Sequence, residues 1–158
     1  MKKQQNAEHE GAQKLRNHVI RIKVLAKPEQ KGSWKTMQLK DGRSITVPAN
    51  SKYKNFHKAI QRTIAKLGVA PCKPIESAVL LNLRFFIRRR KTVKREYPTT
   101  APDIDKFCRT VLDALTGIIY KDDAQVVSLD ATKEYAPNGL EGVEITVIEQ
   151  SNKQKELF

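Results

Sequence analysis

The chain has 158 residues, 39% of them apolar, with 30 basic and 17 acidic side chains and a formal net charge of +13. The length suits one ordinary domain that can form a core without disulfides or a structural metal, and no apolar run is long enough to span a membrane. A charge excess of this size is not a fold requirement; it sets up a positive field that draws polyanions, with nucleic acid the leading partner and a merely basic, very soluble protein the plain alternative.

Residues 1–17 are rich in Lys, Gln, Asn, Glu and His and are expected to form a flexible polar arm. VIRIKVLA follows, alternating apolar and basic residues as a half-buried strand does. KPEQKGSWKT, with Pro28, Gly32 and Ser33 among three lysines, predicts a flexible basic loop. MQLKDGRSITV predicts a hairpin turning at Asp41-Gly42. Residues 50–67 predict a helix with Asn50 or Ser51 as its cap and Gly68 as its stop; Tyr53, Phe56, Ile60, Ile64 and Leu67 recur at helical spacing. A proline-punctuated link leads to the strongest predicted strand, residues 77–89. The basic run RRRKTVKRE and the loop YPTTAP come next. A second helix is predicted over residues 103–116, with Phe107, Val111, Leu112 and Leu115 on one side and Gly117 as its stop. Strands over Val126–Lys133 and Val143–Glu149, joined by PNGLEG, complete the domain, and 151–158 forms a tail.

This order implies a single α+β domain over residues 18–150, a mixed sheet with two main helices packed on it. Cys72 and Cys108 are isolated, so no zinc site of the usual spacing exists, and Cys108 is expected to be a small core residue. The polar opening carries no hydrophobic leader, which is the pattern of a cytoplasmic protein.

In so basic a chain the acidic clusters stand out: Asp103 and Asp105 at the start of the second helix, and Asp122-Asp123 just beyond its end. Carboxylates converging on one point are what a hard, partly hydrated Mg²⁺ requires, and such an ion can activate water and offset charge on a phosphate under attack. Convergence is not given by the chain alone, because the helix between the clusters runs about 20 Å and the return segment GIIYKDDAQ is too short to travel back along it. A helix cap explains Asp103 or Asp105 equally well, and a solvated turn explains Asp122-Asp123. Arg109 stands four residues after Asp105 and could pair with it or hold a phosphate. Asp113, on the same edge, could pair with Arg109 in a structural role.

The segment from Pro102 to Lys133, PDIDKFCRTVLDALTGIIYKDDAQVVSLDATK, resembles the core signature of the RusA family of Holliday-junction resolvases. It has an Asp-x-Asp at a helix start, a basic residue one turn on, Leu-Asp-Ala-Leu, and Asp-Asp-x-Gln before a strand ending near a lysine. The resemblance extends more loosely over residues 18–148. It implies a RusA-like fold and a small, homodimeric, Mg²⁺-dependent endonuclease, of a kind common in phages, that cuts four-way DNA junctions symmetrically. Position by position it makes Asp103, Asp105 and Asp123 the catalytic, metal-binding carboxylates, with Mn²⁺ as an alternative ion. Asp122 is a weaker candidate, and Lys133 matches a basic residue at the end of the following strand. Lys106 departs from the family's usual asparagine. Arg109 stands where a catalytic lysine is usual; it can clamp phosphate but cannot give up its proton.

Basic segments are expected to position the DNA: Lys27, Lys31 and Lys35 in the first loop, Arg88, Arg89, Arg90, Lys91, Lys94 and Arg95 after the long strand, and Lys133. Phosphate contacts ignore sequence, so selectivity for branched DNA would come from shape. Trp34 and Tyr97 flank these segments and could stack on opened bases or pack at the core edge. The apolar faces of the first helix and the long strand are candidates for a dimer interface. The rival readings are a binding module of the same fold without cleavage and a nuclease for other branched substrates.

Overall fold

Ile20, Ile22 and Val24 alternate with Arg21 and Lys23. In the computed structural model, which describes residues 18–48 and 51–150, this run is strand β1, Val19–Val24, with the apolar positions buried and the basic ones exposed. There follow β2 (Trp34–Gln38), β3 (Ser44–Pro48), α1 (Tyr53–Leu67), β4 (Val79–Ile87), α2 (Ile104–Leu115), β5 (Val126–Tyr135) and β6 (Gly142–Glu149). The fold is the expected α+β arrangement of two helices on a mixed sheet. The arm at 1–17 and the tail at 151–158 lie outside the described residues. No helix among the described residues is long and apolar enough to cross a membrane.

The main sheet has the order β1-β6-β4-β5, with β6 antiparallel to both neighbours and β4 parallel to β5. A parallel pair needs a crossover, and α2 supplies it. Register fixes the two faces. Ile22, Ile145 and Leu83 stand in one row and Val24, Val143 and Phe85 in the next, all buried beneath the helices. Lys23, Glu144, Arg84 and Thr132 form a row on the opposite face, where Arg84 bridges Glu134 and Glu144 and Lys23 also reaches Glu144. Gly142 is required by a close approach: a Cβ there would lie 2.3 Å from the Val24 carbonyl oxygen.

Phe56, Ile60 and Ile64 of α1 and Phe107, Val111, Ala114 and Leu115 of α2 complete the core. The Phe85 and Phe107 rings meet at 5.2 Å between centroids. Phe56, Ile60 and Ile64 of α1 and the inner face of β4 are therefore consumed inside the protomer, while Leu67 stays exposed at the end of α1 and the outer face of β4, an interior strand between β5 and β6, is half-buried to exposed.

Local signals are mostly where the sequence puts them, with differences at the caps. Gly68 ends α1 at a φ of 62°, and Gly117 follows α2 at 76°, conformations that glycine adopts without steric cost. The start of α1 has no side-chain cap. The chain at Lys52 is already helical, and Ser51 contributes its carbonyl, which accepts from the Lys54 amide, while Asn50 lies outside the described residues. Asp103 holds the cap position of α2 but its carboxylate makes no capping bond.

The β2–β3 hairpin forms as predicted and stands as its own two-stranded sheet, with Gly42 at a φ of 84° and the Asp41 carboxylate accepting from the Arg43 amide and guanidinium. All of β2 is exposed, Trp34 and Lys35 included.

The first loop, expected to be flexible and DNA-facing, is instead docked on α2. Thr110 is fully buried; its hydroxyl accepts from the Lys31 amide (3.0 Å), and its proton can serve the Glu29 carbonyl (3.1 Å) or the Lys106 carbonyl (3.2 Å). The Lys31 ammonium meets Asp113 at 2.5 Å. Lys31 is thus a tether of the fold, and Asp113 has the structural role expected of it but with Lys31 as partner in place of Arg109.

Cys108 is buried and Cys72 exposed. Burial, reinforced by the negative charge of Asp105, pushes the Cys108 thiol up to about 11. A disulfide reagent at neutral pH is therefore expected to titrate one thiol in the folded protein and two in denaturant. Two fast thiols in the native state would contradict the packing of α2.

Candidate active site

The chain leaving β4 must cross to the start of α2, and the way this crossing is fastened shapes a cleft of about 900 Å³. Three basic side chains do the fastening. Arg95 donates to the Tyr135 hydroxyl (3.1 Å) and to Thr100 Oγ1 (3.2 Å). Arg89 lies over the Tyr135 ring, 4.9 Å from its centroid, and donates to the Arg95 carbonyl. The Lys133 ammonium, on β5, donates to the carbonyls of Thr100 (3.0 Å) and Pro102 (2.9 Å). Residues 97–101 thereby form one wall of the cleft, Asp103, Ile104 and Asp105 at the head of α2 a second, and Ala131–Glu134 of β5 the floor.

Asp103 and Asp105 thus open on one space. Asp103 accepts from the Lys106 ammonium at 2.6 Å, and that bond, with Lys133 more distant, holds its carboxyl below the usual carboxylate range. Asp105 is exposed and has no hydrogen bond or ion pair among the described residues. The Lys106–Asp103 pair is solvent-exposed, and pairs of this kind are weak enough for a competing cation to displace.

Asp123 does not join them. It is the first residue of a short 3₁₀ turn, Asp123–Gln125, that precedes β5. The cleft floor begins at Ala131, about 16 Å along the strand from Val126. Among the described residues no group of three or more His, Cys, Asp or Glu side chains is placed to hold a metal. The expected three-aspartate convergence is therefore absent from the single chain. The physical reason lies in the return segment. The Gly117 amide donates to the Tyr120 carbonyl, the Ile75 amide to Ile119, and the Lys121 amide to Ile75. These bonds turn the chain sideways onto the lead-in to β4, so it does not run back along α2.

The Asp-Asp-x-Gln motif resolves into different jobs. Asp122 caps the turn: its carboxylate accepts from the Ala124 amide (2.8 Å), and the Gln125 side chain accepts from the Asp122 amide (2.8 Å). The Gln125 amide group also donates to the carbonyls of Ile75 and Ser77, both at 2.8 Å. Gln125 was not singled out from sequence, although an Asp-x-x-Gln spacing is a capping-box signature. Asp123, held by this clamp, keeps its own side chain exposed.

The remaining expected site residues divide between internal contacts and open surface. Arg89 and Lys133 organise the loop, as described. Arg109 is exposed, lies outside the cleft lining and makes no ion pair with Asp105 or Asp113. Arg88, Arg90 and Lys91 are exposed, and their side chains have no partner among the described residues; they follow β4 directly, upstream of the cleft wall. Lys35 projects from the hairpin.

A mixed four-stranded sheet with two helices on one face and a cleft lined by Asp103 and Asp105 defines a small α+β domain. The chain belongs to the RusA endodeoxyribonuclease family, which it matches over residues 26–148. It is also similar to the uncharacterized protein YqaN of Bacillus subtilis (strain 168), with 54% identity over 39 residues. That stretch covers 25% of this chain and 28% of the relative.

Proposed function

We propose that this protein is a Mg²⁺-dependent, structure-selective endodeoxyribonuclease that resolves four-way DNA junctions by paired phosphodiester hydrolysis. The observation that carries the reading is the cleft shared by Asp103 and Asp105, whose wall follows in the chain a segment bearing the exposed Arg88, Arg90 and Lys91, in a chain of this family. Two water-exposed carboxylates are a suitable donor set for a hard cation that keeps several waters. Mg²⁺, or Mn²⁺ in its place, would supply charge neutralisation and an activated water. Asp103 and Asp105 are its holders, and Asp123 is the third carboxylate of the proposal. Lys133 fixes the loop that leads into Asp103. Arg109 offsets charge on the phosphate, while Arg88, Arg90, Lys91 and Lys35 draw the DNA backbone by contacts that ignore sequence. Two symmetric cuts call for two sites, hence a homodimer, acting in the cytoplasm.

The test is cleavage of a synthetic four-way junction in Mg²⁺, beside a linear duplex built from the same arms. Paired symmetric nicks on the junction and none on the duplex are expected. Tight junction binding without cleavage in Mg²⁺ or Mn²⁺ would establish the second reading, a binding module of the same fold, which the separation of Asp123 from the cleft favours. Equal cutting of flaps and forks would assign a broader branched-DNA nuclease.

A further inference from the structure

Tyr97 is 61% exposed, although large aromatic side chains ordinarily bury their rings. Trp34 has the same exposure, but it stands on the hairpin, whereas Tyr97 lines the cleft that holds Asp103 and Asp105. The backbone carrying Tyr97 is fastened on both sides. Arg95 lies two residues before it, bonded to Tyr135 and Thr100. Pro98 is buried directly after it, the Thr99 amide donates to the Tyr97 carbonyl (3.0 Å), and Lys133 holds the carbonyls of Thr100 and Pro102. The Tyr97 hydroxyl has no partner among the described residues, so the ring is not a strut held by its polar end. An aromatic face is thus presented to solvent from an anchored segment, which limits the entropy lost when something stacks on it.

We propose that Tyr97 is a stacking platform for an unpaired nucleobase at the wall of the carboxylate cleft. The inference rests on the nucleic-acid reading of that cleft and adds the feature of the substrate that is recognised. The occupant follows from charge and shape. The flat apolar face lies just beyond a segment carrying Arg88, Arg90, Lys91 and Lys94, so a ligand that is aromatic and anionic at once fits both. Bases inside a linear duplex have no free face, whereas those at a branch point, mismatch or single strand do. Tyr97 would therefore favour branched over linear DNA without reading sequence.

The experiment measures binding of the full chain, without divalent metal, to a four-way junction, a linear duplex and a single-stranded oligonucleotide. Wild type is compared with Tyr97→Phe and Tyr97→Leu, each first shown to melt like wild type. Loss of one base stack lowers affinity by roughly 5- to 150-fold. Tyr97→Leu is expected to show such a loss on the junction and the single strand, with the duplex unchanged and Tyr97→Phe close to wild type. A 5-iodouracil at the branch point should crosslink at residue 97. If Tyr97→Leu binds the junction and the single strand as wild type does, the stacking proposal is overturned. A wild type indifferent to the junction, with a Tyr97→Leu loss confined to the single strand, supports stacking and removes only the junction reading.

Discussion

Replacing Asp105 by Asn is expected to remove junction cleavage while leaving junction binding intact or slightly tighter. The substitution keeps shape and deletes one negative charge at an exposed position that makes no hydrogen bond or ion pair among the described residues, so the fold should lose at most about 0.3–1 kcal/mol, from the favourable place of that charge in the first turn of α2. If Asp105 holds the divalent cation, the rate should fall by more than the roughly 10- to 100-fold typical of losing an outer partner of a metal ligand. Binding should hold because the DNA phosphates meet one carboxylate fewer. Rates and affinities measured on the same junction separate the two effects, and a mutant that binds poorly but cuts each bound junction normally would remove Asp105 from the chemistry. Asp123→Asn, assayed alongside, decides the third carboxylate. An equal loss places Asp123 on the cation once DNA and metal are bound, while retained cleavage leaves a site built from Asp103 and Asp105.

The largest stability effect is expected at Phe107. Its ring is 1% exposed and lies against Phe85, 5.2 Å between centroids, where it seats the first turn of α2 on the sheet. Phe107→Ala deletes that contact and leaves a cavity under the two aspartates, which costs about 3–5 kcal/mol. For a chain of this length the melting temperature should drop by roughly 6–20 °C. Phe107→Leu retains most of the volume and should lose much less. A melting temperature unchanged in the alanine variant would mean that α2 does not pack as described.

Much of the domain was legible because its signals are local. The alternation of VIRIKV, the Asp41-Gly42 turn, the apolar stripe of α2 and the glycines closing both helices each depend on a few neighbouring residues. Contacts across the chain were not legible. Lys31, Arg89 and Lys133 look in sequence like any other surface cation, and nothing adjacent to them shows that Asp113, the Tyr135 ring or the Thr100 and Pro102 carbonyls wait for them. Thr110 is similar: a hydroxyl inside a helix is ordinarily a weak helix former, and only the docked loop gives it partners. Family likeness supplied the three aspartates together, whereas the geometry unites only Asp103 with Asp105. The bonds from Ile75 to Ile119 and Lys121, which hold the third away, join segments over 40 residues apart.

The order of the sheet also governs how the chain can be made. β1 leaves the ribosome well before β6, yet β6 is its hydrogen-bonding partner, with Val19 opposite Ile148 and Val24 opposite Val143. β4 likewise waits for β5 and β6. Among the described residues the hairpin is the one sheet that can close on itself early, and a lone hairpin is marginal in water. The nascent chain must therefore carry apolar strands without partners until β6 emerges, the circumstance in which edges pair with the wrong neighbour. Arg21 and Lys23, placed at alternate positions of β1, and Arg84, in the middle of β4, interrupt those runs with charge. The same side chains that line the outer face of the finished sheet guard its unfinished strands against aggregation during synthesis.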